Sequence, residues 1–226
     1  MVTVGQYQGF VEVPDGYADD RWWTPAGRAW RGARVRPDFF GDRDAEYASQ
    51  AMNSLTWYEA SAYCAWLTAQ LHTAGALAPG ETVRLPTEAE WEVAASYDAR
   101  GVRHVYPWGD TPAPTLAHAI FNEAQLDRVP PVGCCPAGVA ACGAHDMTGT
   151  VWEWYASRHG AYPAAADAVY HLFNDNDRDA PLRGEAFYGS STDVGCGARV
   201  GYPPLYGDPN NGFRLVVSRA RTDSSV

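Results

Sequence analysis

The chain contains no lysine. All seventeen basic residues are arginine, and 27 acidic residues outweigh them to a net charge of −10. That balance excludes the basic face that nucleic-acid binding depends on, so no nucleic-acid partner is expected. No run of about eighteen apolar residues occurs, so no membrane-spanning helix is expected. The opening residues Met1-Val2-Thr3-Val4 lack the basic and apolar stretches of a signal peptide. Histidine is sparse: His72, His104, His118, His145, His159 and His171 are scattered, with no pair at helical metal-ligand spacing. Neither a Ser-His-Asp set nor a glycine-rich phosphate loop is present. The five cysteines are odd in number, so at least one is free or bonded to another chain. Cys134, Cys135 and Cys142 crowd one loop, where a small disulfide is one reading; their spacing fits no zinc site, and the compartment stays open.

What remains is a composition of 46% hydrophobic residues, with nine Trp, thirteen Tyr, 22 Gly and 16 Pro. It points to a loop-rich globular protein held by large aromatic side chains. Val4, Tyr7 and Val11 fall at helical spacing over residues 3–13, and Pro14 and Gly16 end that pattern. Residues 14–54 show no period. Thr56 and Glu59 form a capping box at the start of a second helix. This helix carries Ala60, Tyr63, Leu67 and Leu71 on one face and ends near Gly75; Cys64 reads as one of its buried apolar residues. Arg84-Leu85-Pro86 is extended, and Thr87 with Glu90 caps a short helix through Ala95. Short β segments follow at 151–155, before Arg183, and at 213–217. Helices first and strands later give an α+β class, with no linker or repeat to divide the chain, and one domain over 1–226 is expected.

Six pieces of this sequence, in order, resemble the formylglycine-generating, sulfatase-modifying enzyme family. They are Val2–Tyr7, Trp57–Ala60 with Ala62–Cys64, Arg84–Glu92, Tyr106–Gly109, Asp146–Trp154 and Gly212–Val216. The resemblance implies a C-type-lectin-like fold with two main helices and a small twisted antiparallel sheet. Family members begin with a β-hairpin ahead of the first piece, and its absence leads us to expect a part of a longer protein. Trp91, Trp108, Trp152 and Trp154 are expected in the core, and Glu88 and Glu90 in caps and ion pairs.

Family enzymes carry two copper-binding, oxygen-activating cysteines after an Arg-Gly-Gly-Ser-aromatic motif. Here that motif is Arg183-Gly184-Glu185-Ala186-Phe187, and the cysteine positions fall on Gly189 and Val194. Neither supplies a thiolate, and Cys196 alone cannot replace a pair, so copper and formylglycine synthesis are not expected. A second enzyme branch makes sulfoxides with non-haem iron, but its iron-binding histidines come largely from a separate helical domain. The resemblance also implies a structural calcium site, for which Asn122 and Asp127 are the matching oxygen ligands; Thr150 stands where the family has Asn. No cofactor is otherwise required.

The stretch before Gly212 resembles the variable proteins of diversity-generating retroelements. Adenine-directed randomisation of asparagine-type codons excludes Lys, Gln, Glu, Met and Trp, and residues 188–211 contain none of these. The expectation is therefore a non-catalytic protein with a variable binding region over 186–211, directed at a macromolecular, protein target. Its ligand-binding positions would be Ala186, Tyr188, Gly189, Ser190, Thr192, Asp193, Gly195, Gly197, Val200, Tyr202, Leu205, Tyr206, Asp208 and Asn210. The Tyr, Gly and Ser content matches that of antibody binding loops. Two other readings stay open: an oxygen-dependent oxidoreductase of the formylglycine-generating or sulfoxide-synthase type, and an accessory domain with no ligand of its own.

Overall fold

A computed structural model of the chain describes residues 1–38, 47–157 and 179–219. Three helices begin with the same local device. Helix α1 (Val4–Val11), helix α3 (Trp57–Thr73) and helix α4 (Glu88–Ser96) are preceded by Thr3, Thr56 and Thr87. Each threonine hydroxyl accepts the backbone N–H three residues on, and the Gln6, Glu59 or Glu90 side chain returns to the threonine N–H. Two of the four free donors at each helix start are thereby satisfied within the segment itself. Helix α2 (Pro25–Arg31) was not expected; it is short, capped by Thr24 with Pro25 in its first turn, and buries Gly27 and Arg31 rather than an apolar stripe.

The strands form two sheets. Strand β1 (Glu81–Arg84) pairs antiparallel with β6 (Val216–Arg219). The other sheet has the order β4-β3-β2-β5, from Arg199–Tyr202, Ala180–Arg183, Trp152–Trp154 and Asn211–Phe213. The pairs β2/β3 and β3/β4 are antiparallel, while β2/β5 is parallel. The expected α+β, C-type-lectin-like architecture is present, with four α-helices among the described residues and a mixed rather than purely antiparallel sheet. The parallel pairing sets Trp152 opposite Asn211 and Trp154 opposite Phe213.

The core is aromatic. Tyr7 stacks on Tyr63 at 5.2 Å, and Phe213 meets both edge-on at 6.2 and 5.5 Å. Helix α3 is buried on most sides in its first half, from Trp57 through Ala60 and at Ala62, Tyr63, Cys64 and Trp66, while Leu67 and Leu71 are only partly covered. A one-sided stripe was expected; the helix instead runs through the domain before reaching the surface. Trp91 and Trp154 are fully enclosed, whereas Trp108 and Trp152 are half-buried. Trp108 is sandwiched between Tyr106 (5.0 Å) and His118 (4.7 Å). All five cysteines are free; Cys134 and Cys135 hold their sulfurs 3.9 Å apart, and the Cys142 thiol donates to the Ala94 carbonyl.

Glu59 is a charged residue inside this core, 1% exposed, and accepts from the Thr56 N–H, the Thr56 hydroxyl and the Tyr17 hydroxyl. Burial pushes its carboxyl up to about 7, against the lowering effect of those hydrogen bonds. A folded value above the ordinary 4.5 means that the protonated form favours folding. That contribution is complete below pH 4.5 and is lost as the pH rises through about 7. Wild-type melting temperature should therefore fall across this window relative to Glu59→Gln, whose own curve should be flatter. At pH 5 the variant should lie close to the wild type in stability, because the protonated carboxyl and the amide each offer one accepting oxygen and one donating group to Thr56 and Tyr17. Parallel thermal melts from pH 4 to 8 measure both effects.

Candidate functional site

Two buried ion pairs hold the ends of the segment from Arg183 to Arg214. Arg183, at the end of β3, is 1% exposed. Its Nη2 donates to Glu88 Oε1 (2.8 Å) and Glu92 Oε2 (3.0 Å), and its Nη1 to the Cys196 carbonyl (3.0 Å). The same guanidinium lies over the Trp91 ring at 5.6 Å, and Arg199 joins Glu88 at 2.9 Å. At the other end Arg214 donates from Nη2 to Glu153 Oε1 (2.6 Å) and to the Asp146 carbonyl (2.9 Å), and from Nε to Glu153 Oε2. Glu153 also accepts the Trp91 indole N–H at 2.7 Å. Bidentate pairing and complete use of the carboxylate oxygens offset the cost of taking these charges out of water. Glu88 and Glu90 thus take the expected roles, since Glu90 closes the α4 cap and pairs with Arg84 at 2.6 Å.

Between the anchors the backbone is held tightly. Glu185 has φ +59°, a left-handed conformation that costs a non-glycine residue about 1–3 kcal/mol. Its side chain folds under Gly189, where an added Cβ would lie 2.5 Å from Glu185 Cδ and 2.6 Å from Oε1. Glu185 Oε1 accepts the Ala186 N–H at 3.0 Å, and burial raises the carboxyl above its usual range. Val194 packs with Ala119 and Phe121. The Cys196 thiol donates to the Ala95 carbonyl, and burial pushes it up to about 12, far from a reactive thiolate.

An aromatic and acidic group gathers along the segment that joins β4 to β5, together with Tyr188. Tyr202, the last residue of β4, stacks on Tyr206 with ring centres 5.1 Å apart. Tyr206 hydrogen-bonds Asp208, whose charge raises its hydroxyl above the usual value. Asp208 Oδ1 also accepts the Asn210 N–H (2.9 Å) and side-chain amide (2.6 Å). Asn210 in turn accepts the Trp152 N–H at 2.7 Å through its carbonyl. The Trp152 side chain hydrogen-bonds the Tyr188 hydroxyl. Burial raises that hydroxyl's pKa, and the charges of Glu185 and Asp208 act in the same direction. Tyr188, Tyr202 and Tyr206 remain 49%, 37% and 43% exposed, so their rings stay accessible to a ligand.

The structure divides the expected binding positions. Tyr188, Thr192, Asp193, Gly197, Tyr202, Leu205 and Tyr206 are exposed, and Ser190, Val200, Asp208 and Asn210 partly so. Ala186, Gly189 and Gly195 are not surface positions. Ala186 is enclosed, Gly189 is closed off by Glu185, and the Gly195 N–H donates to the Thr148 hydroxyl at 3.0 Å. Residues 199–202 are a paired strand rather than free loop. Asn122 and Asp127 are both exposed; Asn122 braces the loop by donating its N–H to the Gly189 carbonyl, and Asp127 pairs with Arg128 at 3.2 Å. Calcium at this loop would have to displace that ion pair. Among the described residues no three His, Cys, Asp or Glu side chains converge as a metal site. His72 and His104 bond to the Glu81 carbonyl and to Asp110, while His159 and His171 lie outside the described residues. Trp152 and Glu185 are members of this cluster that composition and spacing did not single out. The missing second glycine of the Arg183 motif was the one available sign of Glu185.

A profile of the sulfatase-modifying factor enzyme 1-like domain matches residues 1–219. The chain belongs to that family. The hercynine oxygenase of Mycolicibacterium thermoresistibile is 38% identical over 188 residues, covering 76% of this chain and 38% of that protein. The inactive C-alpha-formylglycine-generating enzyme 2 of Bos taurus is 33% identical over 209 residues, covering 88% of this chain and 60% of that protein. Among solved structures, Treponema denticola variable protein 1 superposes with a TM-score of 0.69 at 20% identity, covering 97% of this chain and 82% of that one. At that identity the likeness shows the fold alone.

These relatives correct the functional expectation. A non-catalytic protein with a variable surface for a macromolecular target is overturned by the match to hercynine oxygenases, which are enzymes. Loss of thiols at Gly189 and Val194 bears on one chemistry of the family and not on the others. The variable protein shares the fold but not comparable sequence identity.

The Arg183 anchor gives a direct test of how the site is held. Arg183→Met should destabilise the protein by about 3–5 kcal/mol, because Glu88 and Glu92 are left as buried charges without their main partner. Urea denaturation monitored by tryptophan fluorescence measures the loss.

Proposed function

We propose that this chain is the substrate-holding part of an oxygen-dependent oxidoreductase acting on a hercynine-like betaine, a zwitterion with a quaternary ammonium group. The observation that carries this reading is the stacked, exposed pair Tyr202 and Tyr206 with Tyr206 bonded to Asp208, the same carboxylate whose charge acts on the Tyr188 hydroxyl. Hercynine is a histidine whose amino nitrogen carries three methyl groups, so it presents a permanent cation with no N–H. Such a cation is met by aromatic faces, each worth about 0.5–1 kcal/mol when exposed and about 2 kcal/mol or more when desolvated. A nearby carboxylate adds charge complementarity. Asp208 is fixed for this role by Asn210 and Tyr206.

The division of labour follows from the length of the relatives. This chain spans 38% to 40% of the hercynine oxygenases from Mycolicibacterium thermoresistibile and a second mycobacterial species. The described residues lack a three-ligand donor set, so an iron centre does not fit them alone. The chain's own contribution is to bind and orient the substrate on the segment that joins β4 to β5. Formylglycine synthesis is disfavoured by Gly189 and Val194, and by a Cys196 thiol held in its protonated state.

Calorimetric titration with hercynine tests this. Saturable binding is expected, weakened about tenfold or more by Asp208→Asn or Tyr206→Ala. Histidine, which lacks the methyl groups, should bind less tightly. Absence of saturable hercynine binding, or equal affinity in both variants, would reject the reading.

A further inference from the structure

Glu185 is the least comfortable residue of the site. It adopts φ +59° where glycine is at ease, is 8% exposed, and has its Oε1 bonded only to the Ala186 N–H. Its other oxygen, Oε2, has no hydrogen-bond partner among the described residues, yet it is not sealed away from solvent. The neighbouring chain makes room for it: Gly189 lacks the Cβ that would collide with the carboxylate. A core-filling residue would not need a left-handed backbone, a buried acid group and a glycine above it at the same time. Strain of this kind is retained where the side chain has work in the native state.

Its surroundings indicate what that work is. Glu185 stands three residues before Tyr188, in a turn closed by the Gly189 N–H donating to the Ala186 carbonyl (3.0 Å), and the charges of Glu185 and Asp208 both act on the Tyr188 hydroxyl. Asp208 already has Tyr206 and both Asn210 donors, whereas Glu185 keeps an oxygen open. The titratable groups near enough to act on Glu185 are Asp193, which accepts from the Ser190 hydroxyl in the same turn, and Tyr188. Asp193 and Tyr188 bring no positive charge to it.

We propose that Glu185 binds substrate directly, its open oxygen accepting a hydrogen bond from an N–H of a nitrogen heterocycle while the tyrosines and Asp208 hold the quaternary ammonium. This deepens the betaine reading above and rests on it. The site would then read both ends of the molecule: the methylated cation by aromatic faces, and the ring by a carboxylate. An unpaired N–H acceptor is a strong discriminator, because a ligand lacking the donor covers this oxygen without giving it a partner.

The test compares hercynine with phenylalanine betaine, which keeps the trimethylammonium group and a flat ring but has no ring N–H. Both are titrated calorimetrically into wild type, Glu185→Gln and Gly189→Ala. The glutamine keeps the shape; the alanine leaves Glu185 in the sequence but pushes its carboxylate aside. Wild type should prefer hercynine by about tenfold or more. Both variants should lose most of that preference while binding phenylalanine betaine as wild type does, and both should stay folded by circular dichroism. An unchanged preference in Glu185→Gln would overturn the role of Glu185 and leave the aromatic site standing. Failure of wild type to bind either betaine would overturn both. A variant that unfolds, or that loses the two ligands in equal proportion, would assign Glu185 to the scaffold and overturn the proposal.

Discussion

Arg183 leaves β3 with its guanidinium enclosed by Glu88, Glu92, the Cys196 carbonyl and the Trp91 ring. Three of these partners come from α4 and the fourth from the stretch between β3 and β4. Trp91 then passes the connection to Glu153 on β2, and Glu153 to Arg214 beyond β5. Helix, sheet and the site-bearing segment are therefore tied through one continuous chain of charge and ring contacts. Without it that segment would have only short strands of three or four residues to hold it, which is little for independent stability.

That arrangement explains why a loop-rich stretch can present a defined surface. The hydrogen bonds from Trp152 to Asn210 and Tyr188, and from Asn210 to Asp208, run from a paired strand outward to the exposed tyrosines. Rings placed by a rigid scaffold lose little entropy when a ligand arrives, so their contact area converts more fully into affinity. The same rigidity limits which positions could vary. Ala186, Gly189 and Gly195 are committed to packing even though they lie between exposed neighbours.

The starts of α3 and α4 were legible because a capping box is a signal four residues long, complete within itself. Helix α2 was not, since Pro25-Ala26-Gly27-Arg28-Ala29-Trp30-Arg31 has no apolar period and contains a glycine. Strand β4 was hidden in the same way by Gly201 and by a composition that resembles a variable loop. Pairings such as Glu153 with Arg214 or Glu88 with Arg183 join residues 61 and 95 positions apart, and no local pattern specifies them. The functional misreading had a similar source: the absence of five amino-acid types from 188–211 reflects a segment rich in Gly, Pro and Tyr. Motif counting set Gly189 at a position where family enzymes carry a cysteine; the carboxylate beneath it belongs to a residue four places earlier and becomes visible only when the chain is folded.

The parallel pairing of β2 with β5 also bears on the order in which the protein takes shape. The capped helices can start from contacts three residues apart, whereas Trp152 meets Asn210 and Asn211 only after the intervening chain has returned. Contacts of such long range form late, because the entropy of closing the loop opposes them until other contacts are in place. The surface that holds the tyrosines is in this sense completed after the capped helices, and a nascent chain that has not yet delivered Asn211 to the sheet has a helical framework but no site.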